Sequence, residues 1–175
     1  MLGRGVNVEG AEAYEKLYQE ALKTYRELAQ NYPNPAVYLP DVAMTLNNLG
    51  LLVAAESHRR DEAEKLYQEA LTIRRELAQN NPAVYLPDVA GTLNNLGILV
   101  ADDRLRHDEA EKLYQEALTI RRELAEYNPA VYLPDVAMTL NNLGVLVAAD
   151  SLRRDESEKL YQEALKTYRE LAQNY

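Results

Sequence analysis

The chain of 175 residues has no cysteine, no phenylalanine and no tryptophan. Without cysteine there are no disulfides, thiolate metal sites or thiol nucleophiles, and the redox compartment is left open. All 13 aromatic residues are tyrosines, so every large ring in the core carries a hydroxyl that must reach a partner or solvent. Positive charge is also in deficit. Nineteen Lys and Arg against 28 Asp and Glu give a net charge of −9, which repels phosphate backbones and anionic lipid, so neither nucleic acid nor a membrane is an expected partner. The charge-free run over residues 42–55 is broken by Asn47 and Asn48 and falls short of the ~20 apolar residues of a spanning helix. Residues 1–10 lack the apolar core of a signal peptide. A soluble, cytoplasmic protein is expected.

Catalytic and metal-binding constellations are missing too. Only His58 and His107 could supply imidazole, each in a polar turn with no histidine four residues away, so a metal site is not expected. Ser57, Ser151 and Ser157 lack the His–Asp support a nucleophile needs, so no candidate triad is read. Gly50, Gly97 and Gly144 are isolated in helical patterns, where a small residue lets two helices approach and no loop cradles phosphate. The pairs Arg59-Arg60, Arg74-Arg75, Arg121-Arg122 and Arg153-Arg154 are bracketed by Asp or Glu, which predicts a salt-bridged surface. Catalytic residues, metal and cofactors are all expected to be none, and the chain is not read as an enzyme.

What is present is repetition. Residues 62–108 recur as 109–155 with seven differences, a period of 47; a copy at 12–61 carries two extra residues near Pro33, and a partial copy fills 156–175. A period of 20–50 residues is the mark of a solenoid, and copies this alike imply recent duplication or deliberate design. Residues 1–10 read as a flexible leader with two or more glycines and no apolar stripe, and 11–175 as one repeat domain.

In each unit Ala63, Leu66, Ala70, Ile73 and Leu77 fall three and four apart, the stripe of an amphipathic helix. Asp61 with Glu64, Asp108 with Glu111 and Asp155 with Glu158 have capping-box spacing and predict its start. Pro82 after two asparagines stops it. Pro87 is expected to push Leu86 out of helical geometry and to open a shorter helix through Val89, Leu93, Leu96, Gly97 and Val100. The pattern predicts seven helices, alternately long and short, near 11–31, 40–56, 61–80, 87–103, 108–127, 134–150 and 155–174, with no sheet.

Leu-Asn-Asn-Leu-Gly on the short helix followed by Glu-Ala-Glu-Lys-Leu-Tyr-Gln-Glu-Ala-Leu on the long one resembles the tetratricopeptide repeat, most closely the long-repeat variety of kinesin light chains and bacterial tandem arrays. The residues carrying the likeness are Leu46, Leu49, Gly50, Val53, Ala63, Tyr67 and Ala70 and their equivalents. Val53, Val100 and Val147 depart from it, standing where the family usually has an aromatic. The resemblance implies an all-α solenoid, a right-handed superhelix of antiparallel helix pairs, with a concave groove lined by short helices that takes a peptide or protein ligand. On this chain the groove positions are Asn47, Asn48 and Leu51; Asn94, Asn95, Ile98 and Asp102; and Asn141, Asn142 and Val145. Paired asparagines suit the backbone of an extended peptide and equally suit a bond to the neighbouring helix. No Lys stands at these positions, so a carboxylate clamp is not expected. The alternative role is a self-assembling or designed building block. Thr24 and Thr167 in place of Ile73 and Ile120 partly cap the ends, while Tyr25 and Tyr168 in place of Arg74 and Arg121 return apolar area; a homodimer closed through the terminal helices is expected.

Overall fold

The computed structural model describes residues 5–32, 34 and 37–174, with side chains described from residue 10. Among them there are seven α-helices and no strand: α1 (Gly5–Asn31), α2 (Leu39–Ala54), α3 (Arg60–Asn80), α4 (Pro82–Ala101), α5 (His107–Tyr127), α6 (Pro129–Ala148) and α7 (Arg154–Asn174). Short 3-10 turns at Ser57–Arg59, Arg104–Arg106 and Ser151–Arg153 lead into α3, α5 and α7. The chain divides into two units, Met1–Tyr85 and Leu86–Tyr175.

In the first unit α2 packs on both α1 and α3. Its core is Val42, Ala43, Leu46, Leu49 and Val53 of α2 with Leu22 of α1 and Ala63, Tyr67, Ala70 and Leu71 of α3. In the second unit α6 packs on both α5 and α7, and Leu118, Val136, Leu140 and Ala164 form one cluster with Tyr132, Leu133 and Leu160 against it. Alanines at 63, 70, 110 and 117 have no exposed surface, which lets facing helices approach closely.

Tyrosine, the one aromatic residue in the chain, lies directly against glycine. An ideal Cβ on Gly50 would stand 3.0 Å from the Tyr67 ring, on Gly97 2.8 Å from Tyr114 and on Gly144 2.9 Å from Tyr161. Each glycine is therefore a groove for the ring of the following helix.

Several expected boundaries move. In the second and third copies the helices begin at Pro82 and Pro129, and Pro87 and Pro134 lie inside them, where the sequence pattern had placed a break. Pro87 has no N–H to give the carbonyl four residues earlier, but that residue, Ala83, is exposed, where the lost bond is open to solvent, and the helix continues. The first copy keeps the expected start, with Pro40 in the first turn of α2. Helix α1 begins at Gly5, ahead of the expected residue 11; of the flexible leader at 1–10, residues 1–4 lie outside the described residues.

The capping boxes are not formed. The N-caps of α3 and α5 are Arg59 and Arg106, without side-chain cap bonds, and Asp61 and Asp108 stand at the second position of the first turn, where they still favour the positive helix end. The capping chemistry has moved to the 3-10 turns: Asp103 accepts from the Leu105 N–H and Asp150 from the Leu152 N–H, both at 2.9 Å. Glu111, freed from a cap, takes two bonds from Arg153 at 2.7 and 2.9 Å.

Extension of α6 through Pro134 also makes a helix long and apolar enough to cross a membrane, with 20 residues and mean hydropathy 1.3, which the charge-free run at 42–55 did not disclose. In the second unit α6 is the central helix between α5 and α7, and carries Asp135.

Candidate interaction groove

Residues on α4, α5 and α6 of the second unit enclose an open cleft of about 400 Å³. Ile98, Ala101, Val145, Leu146 and Ala149 supply apolar wall; Asp102, His107, Tyr114 and Asn142 supply polar groups. Ile98 and Val145 are about half exposed, at 48% and 59%. The helical period accounts for the grouping: Asn94, Ile98 and Ala101 lie four and three apart along α4, and Asn142, Val145 and Ala149 three and four apart along α6.

Of the residues expected in the groove, the structure thus gathers Ile98, Asp102, Asn142 and Val145 around one cleft. Asn94 is 4% exposed, and its Oδ1 accepts a bond from Asn142 Nδ2 at 3.1 Å. At Asn94 the amide joins one short helix to the next. Asn95 is half-buried and bonded elsewhere, and Asn141 is exposed. In the first unit Asn47 and Asn48 are half-buried on α2, Asn47 with a bonding partner, and Leu51 is exposed.

Replacing Asn94 by Ala removes a buried acceptor and leaves the Asn142 amide without it, so stability is expected to fall by about 1–2 kcal/mol. Asn141→Ala removes the same residue type at the equivalent but exposed position and should change it by less than about 0.5 kcal/mol. Urea unfolding of both variants checks the pair; equal effects would contradict the placement of Asn94.

Two cleft residues were missed in the sequence. His107 reads there as a surface turn residue, yet its Nε2 lies 3.1 Å from the Ala101 carbonyl and its ring forms a wall. Tyr114 enters the sequence reading only as the equivalent of Tyr67; its ring lies against Gly97 and also reaches the cleft, and burial first, and the Asp102 charge second, push its hydroxyl pKa up to about 12. The spacing that marks Gly97 as a contact glycine was the available signal for Tyr114, while nothing in the sequence singles out His107. His58 is exposed, 3.6 Å from Glu56. Among the described residues no three His, Asp or Glu side chains are grouped to hold a metal.

The arginine pairs divide between surface and interior. Arg59 reaches Glu15 at 2.7 and 2.9 Å and also Glu62 and Glu56, and Arg153 similarly reaches Glu111 and Glu156. These bonds hold the Glu15 and Glu111 carboxyls below the usual carboxylate range and both guanidinium pKa values above theirs. Arg121 is instead buried, donating to the Asp135 carbonyl at 3.2 Å and to the Thr139 hydroxyl. Desolvation lowers its pKa, against the opposing charge of Asp135. It joins α5 to α6 and is not part of a basic surface.

Two family models, both described as tetratricopeptide repeat, match residues 42–82 and 88–170. The chain belongs to the tetratricopeptide repeat family. No curated protein sequence matches it. Repeats of this family generally mediate protein–protein interaction or scaffolding and are typically non-enzymatic. The aliphatic residues Val53, Val100 and Val147 are all core residues, at 2% exposure or less.

Proposed function

We propose that this tetratricopeptide array is a scaffold that holds a peptide or protein segment along the exposed face of its short helices, with the cleft between α4 and α6 as the anchoring point. The observation that carries this reading is the exposure of Leu51, Ile98 and Val145, large apolar side chains at equivalent positions of three copies. Exposed apolar groups edged by polar groups mark an interaction surface. In the second unit Ile98 and Val145 flank a volume that fits one or two side chains, while Asn142 stands at its edge for the ligand backbone.

Charge selects the ligand. Asp102 and Asp103 follow the end of α4, and Asp150 the end of α6, where the helix dipole is also negative. Apolar peptides carrying Lys or Arg are therefore the favoured class, with an acidic peptide repelled.

A screen of 12-residue peptides of varied charge, followed by titration calorimetry of the best binder, tests the reading. Ile98→Asp and Val145→Asp should each weaken binding about tenfold and leave the melting temperature within error, since neither side chain is in the core. Selection of acidic peptides, or unchanged affinity in both variants, would overturn it.

A further inference from the structure

Residues 15–32 and 158–175 are the same 18 residues, Glu-Lys-Leu-Tyr-Gln-Glu-Ala-Leu-Lys-Thr-Tyr-Arg-Glu-Leu-Ala-Gln-Asn-Tyr. One copy forms most of α1 and the other most of α7, and the two bury different, neighbouring stripes. In α1 Leu22 is 7% exposed, packed where α2 sits, while Leu17 and Thr24 are exposed. In α7 the equivalent of Leu22, Leu165, is 49% exposed alongside Tyr168, whereas Thr167 is buried where α6 sits. Helix α7 thus leaves open the very stripe with which α1 holds α2.

Charges follow the same register. Helix α1 is fixed to the first unit by Glu15 to Arg59 and by Arg26 to Glu69 at 2.5 Å. The same two pairings recur in the second unit, as Glu111 to Arg153 and Arg122 to Glu163. They are the bonds joining one long helix to the next. On α7 the outgoing halves of this pair are Glu158 and Arg169, both exposed on the surface, and Glu158 is already held by Gln162 at 2.9 Å as Glu15 is by Gln19.

We propose that the open face of α7 docks on a second copy of this chain, occupying the seat on α2 and α3 that the second copy's own α1 otherwise fills, with Glu158 to Arg59 and Arg169 to Glu69 of that copy. The contact is heterologous, so it extends head to tail. It replaces the two-fold pairing expected from the sequence, because the identical residues on α1 already make this fit to α2 and α3 within the chain.

Concentration sets its extent. The exchanged contacts are made by identical residues, so α7 of a neighbour displaces α1 when protein concentration approaches the effective concentration of the tethered α1, on the order of 1 mM. Light scattering should read 19.9 kDa at about 10 μM and close to twice that near 1 mM. Leu165→Asp with Arg169→Glu should restore the monomer mass at both.

The absence of native cysteine allows a positional test on the full chain. In a mixture of Glu69→Cys and Arg169→Cys proteins, a short bis-maleimide should join 69 to 169 in preference to 69 to 69 or 169 to 169. Arg26→Cys with Glu69→Cys, tied within one chain by the same reagent, should hold α1 in place and remain monomeric at about 1 mM. A constant mass of one chain at every concentration overturns the proposal. So does preferential 169 to 169 linkage, which is the two-fold alternative, or association of the tied variant as freely as the untied one. The outcome is independent of the groove, since Ile98→Asp should leave the mass profile unchanged.

Discussion

Gly97→Ala is expected to destabilise the protein by about 1–3 kcal/mol, whereas Gly91→Ala, six residues earlier on the same helix, is expected to stabilise it by about 0.5–1 kcal/mol. Both glycines are in helical conformation without positive φ, so both replacements gain the same helix propensity and remove the same chain entropy from the unfolded state. Only the surroundings differ. A Cβ at Gly91 meets nothing within 4 Å, and the other copies carry Met44 and Met138 there. A Cβ at Gly97 meets Cε1 and Cδ1 of Tyr114 at 2.8 and 2.9 Å. That ring is 3% exposed, so it cannot swing out into solvent as a surface side chain would, and the helix and ring must separate along their contact.

Denaturant titration of the two variants with the parent measures the contrast directly. Combining Gly97→Ala with Tyr114→Leu, which trades the ring for a shorter side chain, should lose less than the two single effects added together, because the clash disappears with the ring. Strict additivity, or the same sign for Gly91→Ala and Gly97→Ala, would show that the close approach does not govern the position.

The repeat, the helix count and the register of buried stripes were legible in the sequence because each follows from local spacing repeated several times. Gly50, Gly97 and Gly144 could be read as sites of close approach for the same reason. What escaped depended on partners distant in sequence or on water. Pro87 and Pro134 each forbid one backbone bond, a strong local signal, yet they do not end the helix because the abandoned carbonyl is on the surface. Asp61 and Asp108 have cap spacing but are outcompeted when a 3-10 turn shifts the helix start upstream, and Glu111 finds a stronger partner in Arg153 at the far end of its own copy.

Polar residues within the groove divide on the same ground. A paired Asn at 94 and 95 offers donors and acceptors to ligand and helix alike, and only the position of Asn142 one copy later decides that Asn94 faces inward. Arg121 is the converse. Its charge suggests the surface, but it lies on the stripe between Ala117 and Ala125, and the Asp135 carbonyl and Thr139 hydroxyl that accept its hydrogen bonds are supplied by another helix.

Alkaline pH should unfold this protein more steeply than its carboxylates unfold it in acid. Tyr67 and Tyr114 are almost fully buried, and burial pushes both hydroxyl pKa values up to about 12, against about 10 in an unfolded chain. The native state therefore keeps these protons after the unfolded state has begun to release them. Their contribution is complete below pH 10 and is lost progressively as pH rises toward 12, reaching about 2–3 kcal/mol for each tyrosine. Glu15 and Glu111 act in the opposite direction, their lowered pKa values adding stability that is lost as pH falls through the acid range; both pairs have a solvent-exposed side, so that loss is smaller. Melting temperatures measured from pH 8 to 12 should fall most sharply above pH 10, with phenolate absorbance rising in step with unfolding. Tyr67→Phe with Tyr114→Phe should flatten the fall, since a ring without an ionisable proton cannot couple to pH. An alkaline profile as steep in that double variant as in the parent would remove the two buried hydroxyls as its cause.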